Sequence, residues 1–468
     1  MKKNLLTCLS ALLISSTIVS QTTFEPKVTI NAATGNNPYV ITSGLMDNDA
    51  FADILVGTTV GNTLEWYKND LSGTGNFIMQ TNITTTTTGI ASVVIADLNN
   101  DGLNDVLASG YSSDNVVWYA NDGMGGFGAE QTISSSILGA GTIVVANIDA
   151  GTTPDVAIIA YDSGDTVWFS NNGSGVFTGP NTIASVPGSG PGDLDMADFD
   201  GDGDMDAVIS NVDLGTIELY DNNLIPSGSV SFTKYTNTVD SGSGYVFDVS
   251  FADLNEDMVL DIVKADIGGA GETAYYTRDA AGTTTTFSEN PLTSSISRTA
   301  TATVADFDND SKNDVLISNA VTAGNDLVWM ERTDAGTFVE AAAAIDNSQL
   351  QVYAVTVADF DNDTDLDIAT VDYQNFDLNW FENNLNPLSV DEVSQPQISM
   401  YPNPTSNILN FNGPFTSDLN VSVYDVLGKR VLNHTVKLGQ GLDVSKLNNG
   451  MYIIKFNDFN TTYKFVKN

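Results

Sequence analysis

Along most of the chain, short runs of apolar and β-branched residues alternate with turn residues, and no helical spacing of apolar positions is sustained. The pattern predicts strands, and it repeats. A β-prone stretch such as Ala91–Ala96 or Tyr353–Ala358 leads into an acidic turn, and a second stretch such as Asp105–Ala108 or Asp206–Ser210 follows. A third stretch carries aromatic pairs: Trp66 and Tyr67, Trp118 and Tyr119, Trp168 and Phe169, Tyr275 and Tyr276, Trp380 and Phe381. A turn containing Gly or Ser then leads to a Phe (77, 127, 177, 232, 287 or 338) and a fourth stretch. The acidic turns start at Leu45, Asp97, Asn147, Asp198, Asp253, Asp306 and Asp359, in steps of 52, 50, 51, 55, 53 and 53 residues. Four short strands in ~50 residues, seven times over, predict an all-β chain whose main body is a seven-bladed β-propeller.

The seventh repeat ends after Trp380 and Phe381 without a fourth strand, while an unassigned β-prone segment, Thr23–Ile30, stands at the other end. This segment is expected to complete the last blade and close the ring, hiding two sheet edges. The aromatic pairs are expected to pack between neighbouring blades, since adjacent strand residues point to opposite faces. A platform for stacking sugar rings is the functional alternative.

Composition sharpens the picture at the turns. The 468 residues include 59 acidic and 17 basic side chains, a formal charge of −42, which disfavours nucleic acid and anionic membranes as partners. Within each nine-residue turn, acidic or amide groups fall at positions one, three, five and nine. These are Asp198, Asp200, Asp202 and Asp206; Asp306, Asp308, Asp310 and Asp314; and Asp359, Asp361, Asp363 and Asp367. Asp97, Asn99, Asp101 and Asp105, and Asp253, Asn255, Asp257 and Asp261, carry an amide at position three. The first turn has Asp47, Asp49 and Asp53 but Leu45 at position one, and the third has Gly151 at position five. Calcium takes six to eight oxygen ligands at ~2.3–2.6 Å, and alternating carboxylates on a tight loop supply them. Like charges so close repel unless a cation lies among them. Five good calcium sites are expected, with a weak one at Asp47 and a vacant third loop around Asp149. The loops match the calcium loop of EF-hands over six residues only; Ile209 stands where a bidentate Glu belongs.

These loops, set in register between short strands, resemble FG-GAP/VCBS repeats, the family that includes the propellers of integrin α-subunits. The resemblance covers roughly residues 24–384 and implies a propeller with calcium on its outer loops. It leaves the ligand open, because the family hosts adhesins, lectin-like binders and accessory domains of polysaccharide-degrading enzymes.

The chain ends differ from this body. Residues 1–20, with Lys2, Lys3 and the apolar run Leu5–Val19, read as an export signal too short for a membrane anchor. No later stretch is apolar enough to span a bilayer. The propeller is expected over 21–388 and a polar linker over 389–396. Residues 397–468 form slightly basic, short alternating strands that suggest a small Ig-like β-sandwich. Met400–Asn410, Val421–Val431, Leu447–Lys455 and Tyr463–Lys467 look like the C-terminal sorting domain of type IX secretion substrates. That resemblance implies passage through the type IX machinery to the medium or the outer-membrane surface. A carbohydrate-binding sandwich is the alternative.

No catalytic residue is expected. Between Gln21 and Val390 there is no histidine and only eight Lys and Arg, and the one cysteine is Cys8. The expectation is a non-enzymatic binding or adhesion module for an extracellular glycan or protein. A polysaccharide lyase or hydrolase on the same scaffold is the alternative.

Overall fold

The computed structural model describes residues 22–385 and 399–468, apart from 48, 71–75, 84, 243, 269–272, 279–285, 293, 297, 322–323, 334–335, 413–417, 426–428, 438 and 457–460. The expected export signal and linker lie outside the described residues. The chain divides into two compact units, Met1–Asn386 and Pro387–Asn468.

Among the described residues, the first unit holds seven antiparallel sheets of four strands, one with a short fifth strand, and a two-stranded ribbon. The first sheet runs Pro38–Gly44, Asp53–Thr58, Leu64–Asn69 and Phe77–Met79. The next five start at Ile90, Ala140, Pro191, Val246 and Thr299 and keep the same order of strands. The seventh comprises Val352–Ala358, Asp367–Asp372, Asp377–Phe381 and, from the start of the chain, Val28–Asn31, which pairs Val28 with Trp380 and Thr29 with Asn379. The ribbon adds Thr22–Phe24 against Asn383–Leu385.

The first strand of each sheet packs against the first strand of the next, and the circuit closes from Val352–Ala358 back to Pro38–Gly44. Every second strand starts at the position-nine Asp of the acidic loop and is buried along its whole length. A strand covered on both faces cannot alternate apolar with polar residues, which explains runs such as Val106–Ala108 and Val156–Ala160.

The aromatic pairs follow from the same geometry. Trp118 packs with Val156, Ile158 and Phe169 of the third sheet, whereas its neighbour Tyr119 packs with Leu55, Leu64 and Trp66 of the first. Tyr67 faces Phe360, Val371 and Trp380 of the seventh sheet, while Trp66 faces the second. Seven such layers run round the circuit, so the pairs are core.

The second unit has a three-stranded sheet (Ser399–Tyr401, Ile408–Asn412, Leu442–Asp443) and a four-stranded one (Arg430–Val436, Leu419–Asp425, Gly450–Phe456, Thr461–Lys467). Leu409, Val421, Val423, Ile454, Phe456 and Phe465 form its core.

Candidate metal centres and the hub cavity

Each acidic loop joins a first strand to a second and is held by its own last residue. Asp206 accepts the N–H of Phe199 (3.0 Å) through one oxygen and the N–H of Asn222 (2.9 Å) through the other. Asp53, Asp105, Asp155, Asp314 and Asp367 repeat this pair of bonds on Met46 and Asn69, Leu98 and Asn121, Ile148 and Asn171, Phe307 and Arg332, and Phe360 and Asn383. Position nine is therefore a structural tie as well as a candidate ligand.

An Asn at or just past the end of the third strand completes a second tie. Its side-chain amide donates to the carbonyl of position two in the preceding sheet's loop: Asn121 to Met46 (2.8 Å), Asn171 to Leu98 (2.8 Å), Asn222 to Ile148 (3.1 Å), Asn383 to Phe307 (2.8 Å) and Asn69 to Phe360 (2.6 Å). In the fifth sheet Arg278 takes this place, donating to Phe199 (2.9 Å), and in the sixth Arg332 reaches Glu256 (2.7 Å). These Asn and Arg residues were legible as the second residue after each aromatic pair, but their partners lie one repeat away.

Five loops share a backbone bent into the left-handed region at positions four and six: Asn100 and Gly102, Gly201 and Gly203, Glu256 and Met258, Asn309 and Ser311, Asn362 and Thr364. The bend turns carboxylates inward. In three of them one oxygen from each carboxylate lies within 4.8 Å of the others: Asp198, Asp200 and Asp206; Asp306, Asp308 and Asp314; Asp359, Asp361 and Asp367. In the second and fifth loops Asn99 and Asn255 hold position three, each accepting the N–H of position five at 2.9 Å. Asp101, Asp202, Asp257, Asp310 and Asp363 at position five accept backbone N–H groups from position seven of their loops. Asp97, Asp198, Asp253, Asp306 and Asp359 at position one accept backbone N–H groups from positions four to six.

Burial, with the neighbouring carboxylates adding to it, raises the pKa values of these clusters. Asp206 and Asp367 are pushed up to about 8, Asp261 and Asp314 to about 7, and Asp308 and Asp361 to about 6. A carboxylate cluster that resists ionising is one that a divalent cation would discharge. The donor set is all oxygen, which suits a hard cation.

The first loop differs. Lys68, one residue before the third-strand Asn, places its ammonium on Asp47 and 3.2 Å from Asp49. An internal cation thus sits where Asp47, Asp49 and Asp53 were expected to hold calcium. In the third loop Asp149 accepts the Ser170 hydroxyl (2.8 Å) and the N–H of Gly151 (2.6 Å).

A cavity of about 550 Å³ lies at the hub of the circuit, bounded by residues of all seven first strands. Tyr39, Phe247 and Tyr353 hold the same position, second in their strands, and form a ring cluster with centroids 5.6–6.4 Å apart. Asp193 and Asp248, third in theirs, also line it. Asp193 accepts the N–H of Val249 and Asp248 that of Ala302, each at 2.9 Å, so each bridges to the next sheet. Sequence reading missed this site, because it exists only where seven distant strands meet in register.

In comparison with known proteins, residues 46–108, 148–209 and 306–370 match the family described as FG-GAP-like repeat, and 399–468 match the family described as secretion system C-terminal sorting domain. Among solved structures, virginiamycin B lyase from Staphylococcus aureus is similar at 11% identity and TM-score 0.51, over 77% of this chain and 99% of that one. BBS1N, solved in complex with ARL6DN, is similar at 9% identity and TM-score 0.52, over 78% of this chain and 98% of that one. At such identities the likeness shows a propeller-like fold alone. A search of curated proteins finds no match.

Proposed function

For a secreted or cell-surface protein that carries FG-GAP-like repeats and a type IX sorting domain, we propose the role of a calcium-stabilised, seven-bladed propeller acting as a non-enzymatic binding module. The seven sheets are its blades, and the C-terminal unit is an Ig-like sandwich that engages the secretion machinery. The calcium part rests on one observation above others: three loops bring three carboxylates each to within 4.8 Å, on a backbone bend that two further loops share. The residues that would hold the ion are those at positions one, three, five and nine of the second, fourth, fifth, sixth and seventh loops. Calcium would cross-link each loop to the strand behind it and supply the charge that the clusters lack.

Binding rather than catalysis is favoured by where the repeat is broken. The break is at the hub, where aromatic rings and two carboxylates meet without a Lys, Arg or His among the described lining residues. Calorimetric titration with calcium and melting curves in calcium and in chelator test the metal reading. About five ions and a higher melting temperature in calcium are expected, because a ligand bound only by the native state stabilises it. No heat and no shift would sink it. Glycan-array and pull-down screens test the binding role, and depolymerisation of an offered polysaccharide would replace it with an enzymatic one.

A further inference from the structure

The hub cavity is asymmetric, and its asymmetry has a chemistry. The second position of the first strand is Tyr, Phe or Tyr in the first, fifth and seventh sheets, but Ala91, Gly141, Gly192 and Ala300 in the second, third, fourth and sixth. Aromatic bulk therefore crowds one wall. On the other wall Ile159 and Val212 come forward against Gly141 and Gly192, and Ala91 lines the cavity beside them.

The polar groups around this space are unevenly available. The hydroxyl of Ser92 accepts the N–H of Ile143 (3.2 Å), and that of Thr301 is bonded to Ser318 (2.9 Å). Tyr111 and Tyr161 donate to Asp162 (3.0 Å) and Asp213 (3.5 Å). Each of those hydroxyls already makes one bond within the protein. Asp248 accepts a single hydrogen bond among the described residues, from Ala302, which leaves its second oxygen to the cavity. Besides hydroxyls, the cavity offers a ligand ring faces and carboxylate. Ring faces attract cations within ~6 Å of their centroids, and more strongly out of water. Arg298, whose charge acts on Tyr353, is exposed and donates to the carbonyl of Ile267 (2.7 Å).

We propose that the hub cavity binds a small organic cation, its alkylammonium group seated on the Tyr39, Phe247 and Tyr353 rings with Asp248 and Asp193 as counter-charges. A volume of about 550 Å³ fits a ligand of drug size. Burial pushes Asp248 up to about 6 and Asp193 well above the usual range, so a bound cation also relieves carboxylates that are poorly solvated. The inference rests on the binding-module reading and names its ligand class.

The test uses the full chain in saturating calcium, titrated calorimetrically with choline and phenyltrimethylammonium and with their neutral tert-butyl isosteres. The ammonium probes should bind at least tenfold more tightly than the isosteres. Asp248→Asn keeps the bond to Ala302 and should weaken them at least tenfold. Ala91→Phe adds bulk to the wall it lines and should abolish binding while leaving calcium stoichiometry unchanged. Equal affinity for the neutral isosteres, no binding of either cation, or wild-type affinity in both variants overturns the proposal. A glycan or protein that binds wild type and Ala91→Phe alike, with no ammonium binding, sinks this inference and leaves the binding module standing.

Discussion

Lys68 offers the sharpest test of how cations organise the loops. Its ammonium contacts Asp47 and approaches Asp49, whose side chains are only 9% and 13% exposed, against 32% for the lysine. Substituting Lys68→Met keeps the stem but removes the charge, leaving two half-buried carboxylates facing each other. A hydrogen bond to a charged group is worth about 1.5–3 kcal/mol, and the partial exposure of the lysine discounts this. The expected loss in chelator is about 1–3 kcal/mol, or about 1–4 °C for a unit of this size. Adding Leu45→Asp to Lys68→Met supplies the missing position-one oxygen. The double variant should take up one more calcium than wild type. At a hundredfold excess over its Kd that ion contributes about 2.7 kcal/mol, enough to reverse the loss. Calorimetric stoichiometry and paired melting curves in calcium and chelator read both effects. The reasoning fails if Lys68→Met melts like wild type in chelator, or if Asp47→Asn in the wild-type background removes a bound calcium.

Other consequences follow from the same geometry. The raised carboxyls at Asp206, Asp261, Asp314 and Asp367 hold protons more tightly folded than unfolded, where the ordinary value is about 3.9. Their contribution is therefore full below about pH 4 and lost as pH rises through about 7–8. In chelator the melting temperature should fall between pH 5 and 8, and saturating calcium should flatten the fall; a rise in chelator would contradict the assignment. Asn121→Ala removes amide bonds to Met46 and Asn104 and the bond that the Asn121 side-chain oxygen accepts from the N–H of Gly123. The cost should be about 2–4 kcal/mol by chemical denaturation, and a change within error would show that the inter-sheet tie is idle. Thr364 sits at φ 86° where the second and fourth loops place Gly. Thr364→Gly relieves about 1–2 kcal/mol of left-handed strain against about 0.5–1 kcal/mol of chain entropy, so a small gain in melting temperature is expected.

The repeat was legible because its punctuation is local. Asp at position nine must start a buried strand and tie the turn behind it, so it recurs in the sequence wherever a loop recurs in space. The bend at position six was legible in Gly102 and Gly203. At position four Gly201 and the Asn residues 100, 309 and 362 suit a left-handed backbone, whereas Glu256 carries no such signal. Lys68 lies 21 residues from Asp47 and meets it only because the strand Leu64–Asn69 returns alongside the loop. The hub cavity was hidden for a similar reason. Tyr39, Phe247 and Tyr353 are ordinary strand aromatics until seven strands are set in register, and only then does the small-residue gap at Ala91, Gly141 and Gly192 face them.

The position held by Lys68 connects the fixed part of each loop to its variable part. The residue before the third-strand Asn or Arg is Lys68, Ala120, Ser170, Asp221, Thr277, Glu331 or Glu382 in the seven sheets. The bond from the following residue to the position-nine Asp fixes the place of this side chain beside the acidic loop in at least six sheets. The fourth, sixth and seventh loops, whose carboxylates converge most closely, are those given a further acid here. Burial and the carboxylates nearby push Asp221, Glu331 and Glu382 upward. The second and fifth loops, with an amide at position three, have a neutral neighbour, and the first has its own cation. Backbone ties and cation demand are thus carried by different residues of the repeat. One architecture can hold a loop that supplies its own positive charge, loops of intermediate charge, and loops with a surplus of acid, of which the sixth is partly offset by the Lys312 ammonium on Asp310. The last group should be the first to fill as calcium is raised and the last to empty in chelator.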